Sequence, residues 1–371
     1  MNTKILLVVL FTFFKSAAFS QEATSYTWWN PAKDNVAVIE GQAWPKEIKN
    51  LYDRLPARAE KTVRAAVWEL SNNAAGLLIR FKTNSPEIII RYKVAGELAF
   101  PHMPATGVSG VDLYAVNNNG GWLWCAARYS FGDTIQYRFS GLDTTGTSHT
   151  KGREYRLYLP LYNTVHWLEI GVPSSVLFNP LPARQEKPVV VYGTSIAQGA
   201  CASRPGMTWT SILERKLARP LIKLGFSGNG RLEKELIDMM TEIDASIYIL
   251  DCLPNLTAPD MEPEETKRRI IASVTLLQQR RSGVPILLVE HGGYPDGLIN
   301  QRRREYYTDV NQLMKQAFTE LQLKGIKNIF LLTKEEINLD IDCMVDGTHP
   351  TDAGMLRYAE AYERKIRKIL H

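Results

Sequence analysis

"VVVYGTSIAQGACAS", Val189 to Ser203, sets β-branched residues ahead of a glycine and places a serine two residues beyond it. The apolar run reads as a strand buried on both faces, and Gly193 ends it. Ser195 then has two readings. It is a turn residue closing the strand, or a nucleophile held at the strand's end. On this segment alone the turn is favoured. The choice rests on whether a base, its orienting acid and oxyanion donors stand at the other strand ends.

Outward from this stretch, short apolar strands alternate with amphipathic helices. "PVVVYG", "PLIKLG", "SIYILD", "PILLVE" and "NIFLLT" read as five strands. Between and after them come "TWTSILERKLA", "LEKELIDMM", a helix from about Glu264 to Arg280, one through "YYTDVNQLMKQAFTELQ", and a last from about Asp352. Five such units predict an α/β domain over residues 186–371, a doubly wound, mostly parallel five-stranded sheet of flavodoxin-like kind. Such sheets carry their sites at the carboxyl ends of the strands, near the switch in strand order.

Upstream the period changes. From Thr62 to about Val172, "KTVRAAVWEL", "GLLIRFKT", "EIIIRYKV" and "REYRLYLPLY" read as strands between turn-forming stretches. They predict an N-terminal antiparallel β-sandwich over residues 21–180, with the Trp- and Pro-rich residues 21–61 wrapping its edge. "VPSSVLFNPLPARQEKP", Val172 to Pro188, holds four prolines and reads as the linker. Two domains suit a chain of 371 residues, more than one core usually organises.

The first 20 residues differ in kind. Lys4 precedes the apolar stretch Ile5 to Phe14, and Ala18 and Ser20 stand at cleavage-site spacing. That predicts a signal peptide over 1–20 and a secreted protein, periplasmic or extracellular. The apolar run is short for a membrane span, and no later segment reads as one, so no membrane insertion of the mature chain is expected. Loss of the leader removes Lys4 and Lys15 and no acid, taking the formal charge from +5 to +3. That weak balance, with Lys267 to Arg269 and Arg302 to Arg304 read as solvated helix faces, argues against nucleic acid as a partner. Cys125, Cys201, Cys252 and Cys343 show no CxxC spacing, so no metal site is expected. If the strand order is 2-1-3-4-5, Cys201 and Cys252 follow adjacent strand ends, which leaves open both a disulfide and two buried thiols.

The remaining strand ends supply the missing parts. "LGFSGNG" puts Gly228 after the second strand and "LDCLPN" puts Asn255 after the third. "VDGTHPTDAG" puts Asp346 and His349 before the last helix. Singly, each reads as turn chemistry. Together they form an acyl-transfer set. Ser195 offers the hydroxyl, His349 takes its proton, and Asp346, three residues earlier, turns back to hold the imidazole. The N–H groups of Ser195 and Gly228 and the Asn255 amide are the oxyanion donors, each worth about 3 kcal/mol of barrier. The set needs neither metal nor nucleotide, so no cofactor is expected.

These blocks resemble the SGNH (GDSL-like) hydrolases. Ser195, Gly228, Asn255 and His349 match the four residues that name the family, and Asp346 matches the acid of its D-x-x-H. "GVDLY", Gly110 to Tyr114, resembles the signature of an N-terminal domain that precedes such hydrolases in secreted bacterial proteins. Two positions depart from the pattern: Thr194 stands where the motif has Asp, and Cys-Leu-Pro-Asn replaces the usual Gly-x-Asn-Asp. An α/β-hydrolase is the poorer match, because Ala197 breaks the G-x-S-x-G elbow and that fold usually draws its acid and histidine from separate loops.

Substrate contacts are sought among Glu290 and His291 of "VEHGG", the loop arginines Arg204 and Arg231, and, in the sandwich, Asp112, Tyr114 or the "NNNGGW" loop as one wall of the cleft. Plain turn, core or solvated roles compete with each. His102, His149, His166 and His371 lie outside the catalytic half or at its end and receive no role. The expected activity is that of a serine esterase acting on a small-molecule or glycan ester, with acetyl on a carbohydrate foremost. The alternatives are a lipid or thioester acylhydrolase, and a carbohydrate-binding protein with a decayed hydrolase half, which the intact set disfavours. The oligomeric state is not indicated.

Overall fold

The computed structural model of the chain describes residues 24–117, 119–145, 150–257 and 261–370. The predicted leader, Asn118 of the "NNNGGW" loop, His149 and His371 lie outside the described residues. Two antiparallel sheets make up the N-terminal half. One runs β1 (Tyr26–Trp29), β10 (Val165–Pro173), β4 (Glu87–Val94), β8 (Ile135–Ser140), β7 (Arg128–Ser130). The other runs β11 (Phe178–Leu181), β3 (Leu78–Thr83), β9 (Arg153–Tyr158), β5 (Asp112–Val116), β6 (Trp122–Cys125), with β2 (Ile39–Glu40) also on β3. Alternation turns Ile88, Ile90 and Tyr92 of β4 toward Ile79, Phe81, Tyr155 and Leu157 of the facing sheet, and these form one apolar cluster.

Two stretches fold differently from their sequence reading. "KTVRAAVWEL" is not a strand: a 3-10 turn ends at Lys61 and an α-helix spans Ala65–Ser71. Its buried residues are Val67 and Ser71, four apart, and Ala, Glu and Leu are good helix formers. The proline-rich segment read as a linker contributes β11, which pairs antiparallel with β3 from Phe178↔Thr83 to Leu181↔Arg80. Pro180 is tolerated there because β11 is an edge strand.

The C-terminal half is a parallel sheet in the order β13 (Leu221–Gly225), β12 (Val189–Gly193), β14 (Ile247–Asp251), β15 (Ile286–Val289), β16 (Ile329–Leu332). Second-first-third-fourth-fifth is the doubly wound order expected. All residues of β12 to β15 are buried, as a sheet covered on both faces requires. Val190, Tyr192 and Leu250 pack on the face covered by helices 234–240, 263–280 and 301–323. Val189, Val191 and Ile249 pack on the face covered by helices 209–217 and 352–370.

Both faces also take residues from the N-terminal half. Trp44, Leu55, Ala59 and Val67 join the first cluster, and Met103, Val108 and Leu161 join the second. Residues 44–67 therefore do more than edge the sandwich: they help to core the parallel sheet. All four cysteines are buried free thiols, so Cys201 and Cys252 are not bridged.

Candidate active site

Thr194 follows β12 and caps a one-turn helix, Ser195–Gln198, its hydroxyl accepting from the Ile196 N–H at 3.4 Å. Close packing fixes this turn over the sheet. A Cβ on Gly225 would stand 2.4 Å from the Gln198 nitrogen, and one on Gly193 would stand 2.6 Å from the Ala197 Cβ. Ser195 is thus held at the first helical position, where its N–H has no intrahelical acceptor. Gln198, one turn on, accepts from the Ser227 N–H at 2.9 Å and donates to Asn73 at 3.1 Å.

The loop before helix 352–370 comes to meet it. Asp346 Oδ1 accepts the N–H groups of Thr348 and His349 at 3.0 and 2.8 Å, folding Gly347 into a turn at φ +77°. The Cys201 N–H donates to the Pro350 carbonyl at 3.1 Å, and the Ser203 N–H to Asp352 at 2.9 Å, joining this loop to the serine loop. The outcome is a relay. Ser195 Oγ lies 2.8 Å from His349 Nε2, and His349 Nδ1 lies 2.7 Å from Asp346 Oδ2. Burial raises the Asp346 pKa, but hydrogen bonds from the His349 ring and the two backbone N–H groups outweigh it, leaving the carboxyl at about 2. An ionised Asp346 fixes the tautomer with Nε2 free to accept the Ser195 proton.

Gly228 is exposed at φ +68°, with no atom within 4 Å of where a Cβ would stand. The Asn255 Oδ1 accepts the Gly230 N–H at 3.1 Å, which orients its amide and leaves the –NH₂ end as a donor. Ser195, His349 and Asp346 are therefore brought together, with the Gly228 and Asn255 loops at neighbouring strand ends.

The other predicted contacts lie apart from the cleft lining. Glu290 is buried, accepts from the Lys334 N–H at 2.8 Å and forms an ion pair with Lys315 at 3.3 Å. His291 is buried too: its Nδ1 accepts the Gly293 N–H at 2.9 Å, and burial, with Arg303 nearby, lowers its pKa to about 3. Arg231 Nε reaches the Gly228 carbonyl at 3.3 Å. Asp112, Tyr114 and Arg204 bind one another. Arg204 Nη1 donates to Asp112 at 2.5 Å and to Tyr114 at 2.6 Å, and the Gly206 N–H donates to Asp112 at 2.9 Å. The Gly-x-Asp-Leu-Tyr residues thus clamp the loop that follows the serine helix.

The cleft at the relay has a volume of about 490 Å³. His349, Ala200, Ser227 and Asn229 line one side of it. The other side belongs to the N-terminal half: Ala66, Glu69 and Leu70 of the misread helix, then Asn73, Phe100, His102 and Tyr162. The His102 ring stacks near His349, centroids 5.9 Å apart at 22°, and the Tyr162 hydroxyl donates to the Ser195 carbonyl at 3.4 Å. Arg54, fully buried, holds this wall by donating to the carbonyls of Leu70, Asn73, Lys223 and Gly225 at 2.6 to 3.1 Å. His102 lies outside the α/β half in sequence yet lines the cleft, so chain position is a poor guide to it. Its one sequence signal is the "FPHMP" break in the β pattern. A larger hollow of about 810 Å³, lined by Glu233, Lys267 and Arg268 between helices 234–240 and 263–280, contains no part of the relay.

Metal-ligand chemistry is also possible at the relay. His102, Cys201, Asp346 and His349 bring ligand atoms within 4.8 Å of one another, although sequence spacing gave no sign of it. Binding an ion there would compete with the pairing of His349.

Comparison with known proteins gives concordant matches. Residues 186–367 match the GDSL-like Lipase/Acylhydrolase family, and residues 26–178 match the GxDLY family, the N-terminus of SGNH-hydrolase-type esterases. Among solved structures the chain is similar to a Bacteroides ovatus protein described as a GDSL-like lipase. They share 33% identity over 93% of this chain and 98% of that one, with a TM-score of 0.83. It shares its fold with a salicylyl-acyltransferase from a tetracycline biosynthetic pathway, at 17% identity, 94% and 98% coverage and a TM-score of 0.70. It also shares it with an acetyl xylan esterase from the rumen bacterium Butyrivibrio proteoclasticus, at 10% identity, 93% and 99% coverage and a TM-score of 0.52. No curated protein matches the chain.

Proposed function

The chain belongs to the GDSL-like lipase/acylhydrolase family and is an ester-hydrolysing enzyme, and on that premise we propose a serine esterase that removes short acyl groups, acetyl foremost, from a carbohydrate. The relay from Ser195 through His349 to Asp346, opening on the cleft, carries the reading. Ser195 Oγ bonds to the acyl carbon as its proton passes to His349 Nε2. The carbonyl oxygen, now negative, sits among the N–H groups of Ser195 and Gly228 and the Asn255 amide. Collapse breaks the ester C–O bond and the leaving alcohol takes the proton from His349. Water then attacks the acyl-enzyme by the same route, releasing the acid and restoring the serine.

The cleft supports a short acyl group. Glu69, Asn73, His102, Ser227 and Asn229 give it polar walls, with Leu70, Phe100 and Tyr162 between them. Each buried methylene is worth about 0.8 kcal/mol only where an apolar groove takes it up. The acetyl xylan esterase shares the fold, which is consistent with a carbohydrate but does not carry the argument. The leader-like first 20 residues support action outside the cytoplasm.

The test is a panel of aryl esters from two to eight acyl carbons, run beside acetylated polysaccharides. The expected result is a kcat/KM that falls with acyl length, and acetate released from at least one glycan. A preference for octanoyl esters, or activity confined to phospholipids, would replace this reading with the lipid one.

A further inference from the structure

A second hollow, of about 250 Å³, opens where β6 and β7 form the edges of the two sandwich sheets. Trp124 and Tyr129 stand at its rim, 52% and 55% exposed, unusual for large aromatic side chains. Both are held in place. The Trp124 indole N–H donates to Asp112 at 2.7 Å, and the Arg204 guanidinium stacks 4.5 Å from the ring centroid. Tyr129 stacks on buried Tyr137 with centroids 5.2 Å apart. The polar wall comes from Thr106, Ser203 and the Asp112–Arg204 pair. Arg204 uses only Nη1 toward Asp112 and Tyr114, so its other N–H donors are unpaired among the described residues.

This hollow lies close to the relay. The segment that puts His102 in the catalytic cleft puts Thr106 in the hollow, and the one that puts Ala200 in the cleft puts Ser203 and Arg204 in the hollow. Four residues of chain reach no further than about 14 Å. Fixed aromatic faces beside hydroxyl and guanidinium groups are what a sugar ring needs, apolar C–H faces on the rings and hydroxyls on the polar wall. Among the described residues the cation lining it, Arg204, is paired with Asp112, which favours an uncharged ring over an acidic one.

We infer that the hollow is a distal subsite, binding a neutral sugar ring of the same glycan chain whose ester occupies the cleft. The inference rests on the carbohydrate reading above and adds where the chain is gripped. Its test is kcat/KM for acetylated oligosaccharides of increasing length, each normalised to an aryl acetate too small to leave the cleft. The wild-type value climbs with length and then levels off. In Tyr129→Ala the climb disappears, leaving the long substrates about tenfold worse, the loss expected on truncating one aromatic anchor. Tyr129 lies on an exposed edge strand, and Trp124→Ala provides the independent second variant. A wild-type length dependence in both variants overturns the subsite while leaving the esterase reading intact. A wild type that hydrolyses aryl acetates yet releases no acetate from any oligosaccharide overturns both.

Discussion

Asp346 gains its charge from three N–H groups, two of them in its own turn, at 2.7 to 3.0 Å. Its folded pKa, about 2, lies below the ordinary 3.8. Its contribution to stability is therefore full above about pH 4 and lost only as pH falls through 2. Activity lost on mild acidification does not come from protonation of this carboxyl. Asp346→Asn keeps the shape but loses the charge and inverts the hydrogen-bond demand on Nδ1. We predict that it lowers kcat about a thousandfold at every pH from 5 to 9, with the fold intact by circular dichroism. A loss below tenfold would assign the orienting role elsewhere. This residue and its partner were legible in sequence because three positions of one loop suffice to bring them together. His102 and Tyr162 were not, because their place in the cleft depends on how the two halves meet.

Elements were legible where burial is uniform or strictly periodic. The five parallel strands declared themselves as apolar runs, and their helices as amphipathic stretches. Helix Ala65–Ser71 was misread because Val67 and Trp68 resemble strand residues, and only contact with the parallel-sheet core selects the helix. β11 was missed because its proline, Pro180, is compatible with an edge strand as well as with a linker. The end of β15 yields a prediction of its own. His291 is neutral when folded, and its pKa of about 3 lies far below the ordinary 6.5. The unfolded chain therefore binds an extra proton between those values. Stability from this group is complete above pH 6.5 and declines on acidification by up to about 1.4 kcal/mol per pH unit. His291→Asn retains an acceptor for the Gly293 N–H without the titration. Urea midpoints at pH 7, 6 and 5 should fall less steeply in this variant, and equal slopes would contradict the assignment.

Across the whole molecule, the change of period near Pro188 revealed two halves but not their shared interior. That interior is also ionic. Glu214 of helix 209–217, 3% exposed, accepts from Arg156 and Tyr158 of β9 and from Arg184 of the connecting segment, which also pairs with Glu40. No local pattern announces such a network, since its members are spread from residue 40 to residue 214. Removing the carboxylate leaves Arg156 buried without its partner and strips Arg184 of one of its two. Glu214→Ala should therefore cost about 3 to 5 kcal/mol in urea unfolding at neutral pH. A change under 1 kcal/mol would mean that the apolar clusters alone hold the halves together.

The central claim, that Ser195 is the nucleophile of an esterase, is tested most directly by covalent trapping. A fluorophosphonate forms a stable bond only with a serine activated by its own base and oxyanion donors. One adduct per chain is expected, located by mass spectrometry on Ser195, with loss of activity in proportion to labelling. Neither adduct nor activity should appear in folded Ser195→Ala. An adduct on another serine, or a Ser195→Ala variant that still turns over acetyl esters, would contradict it.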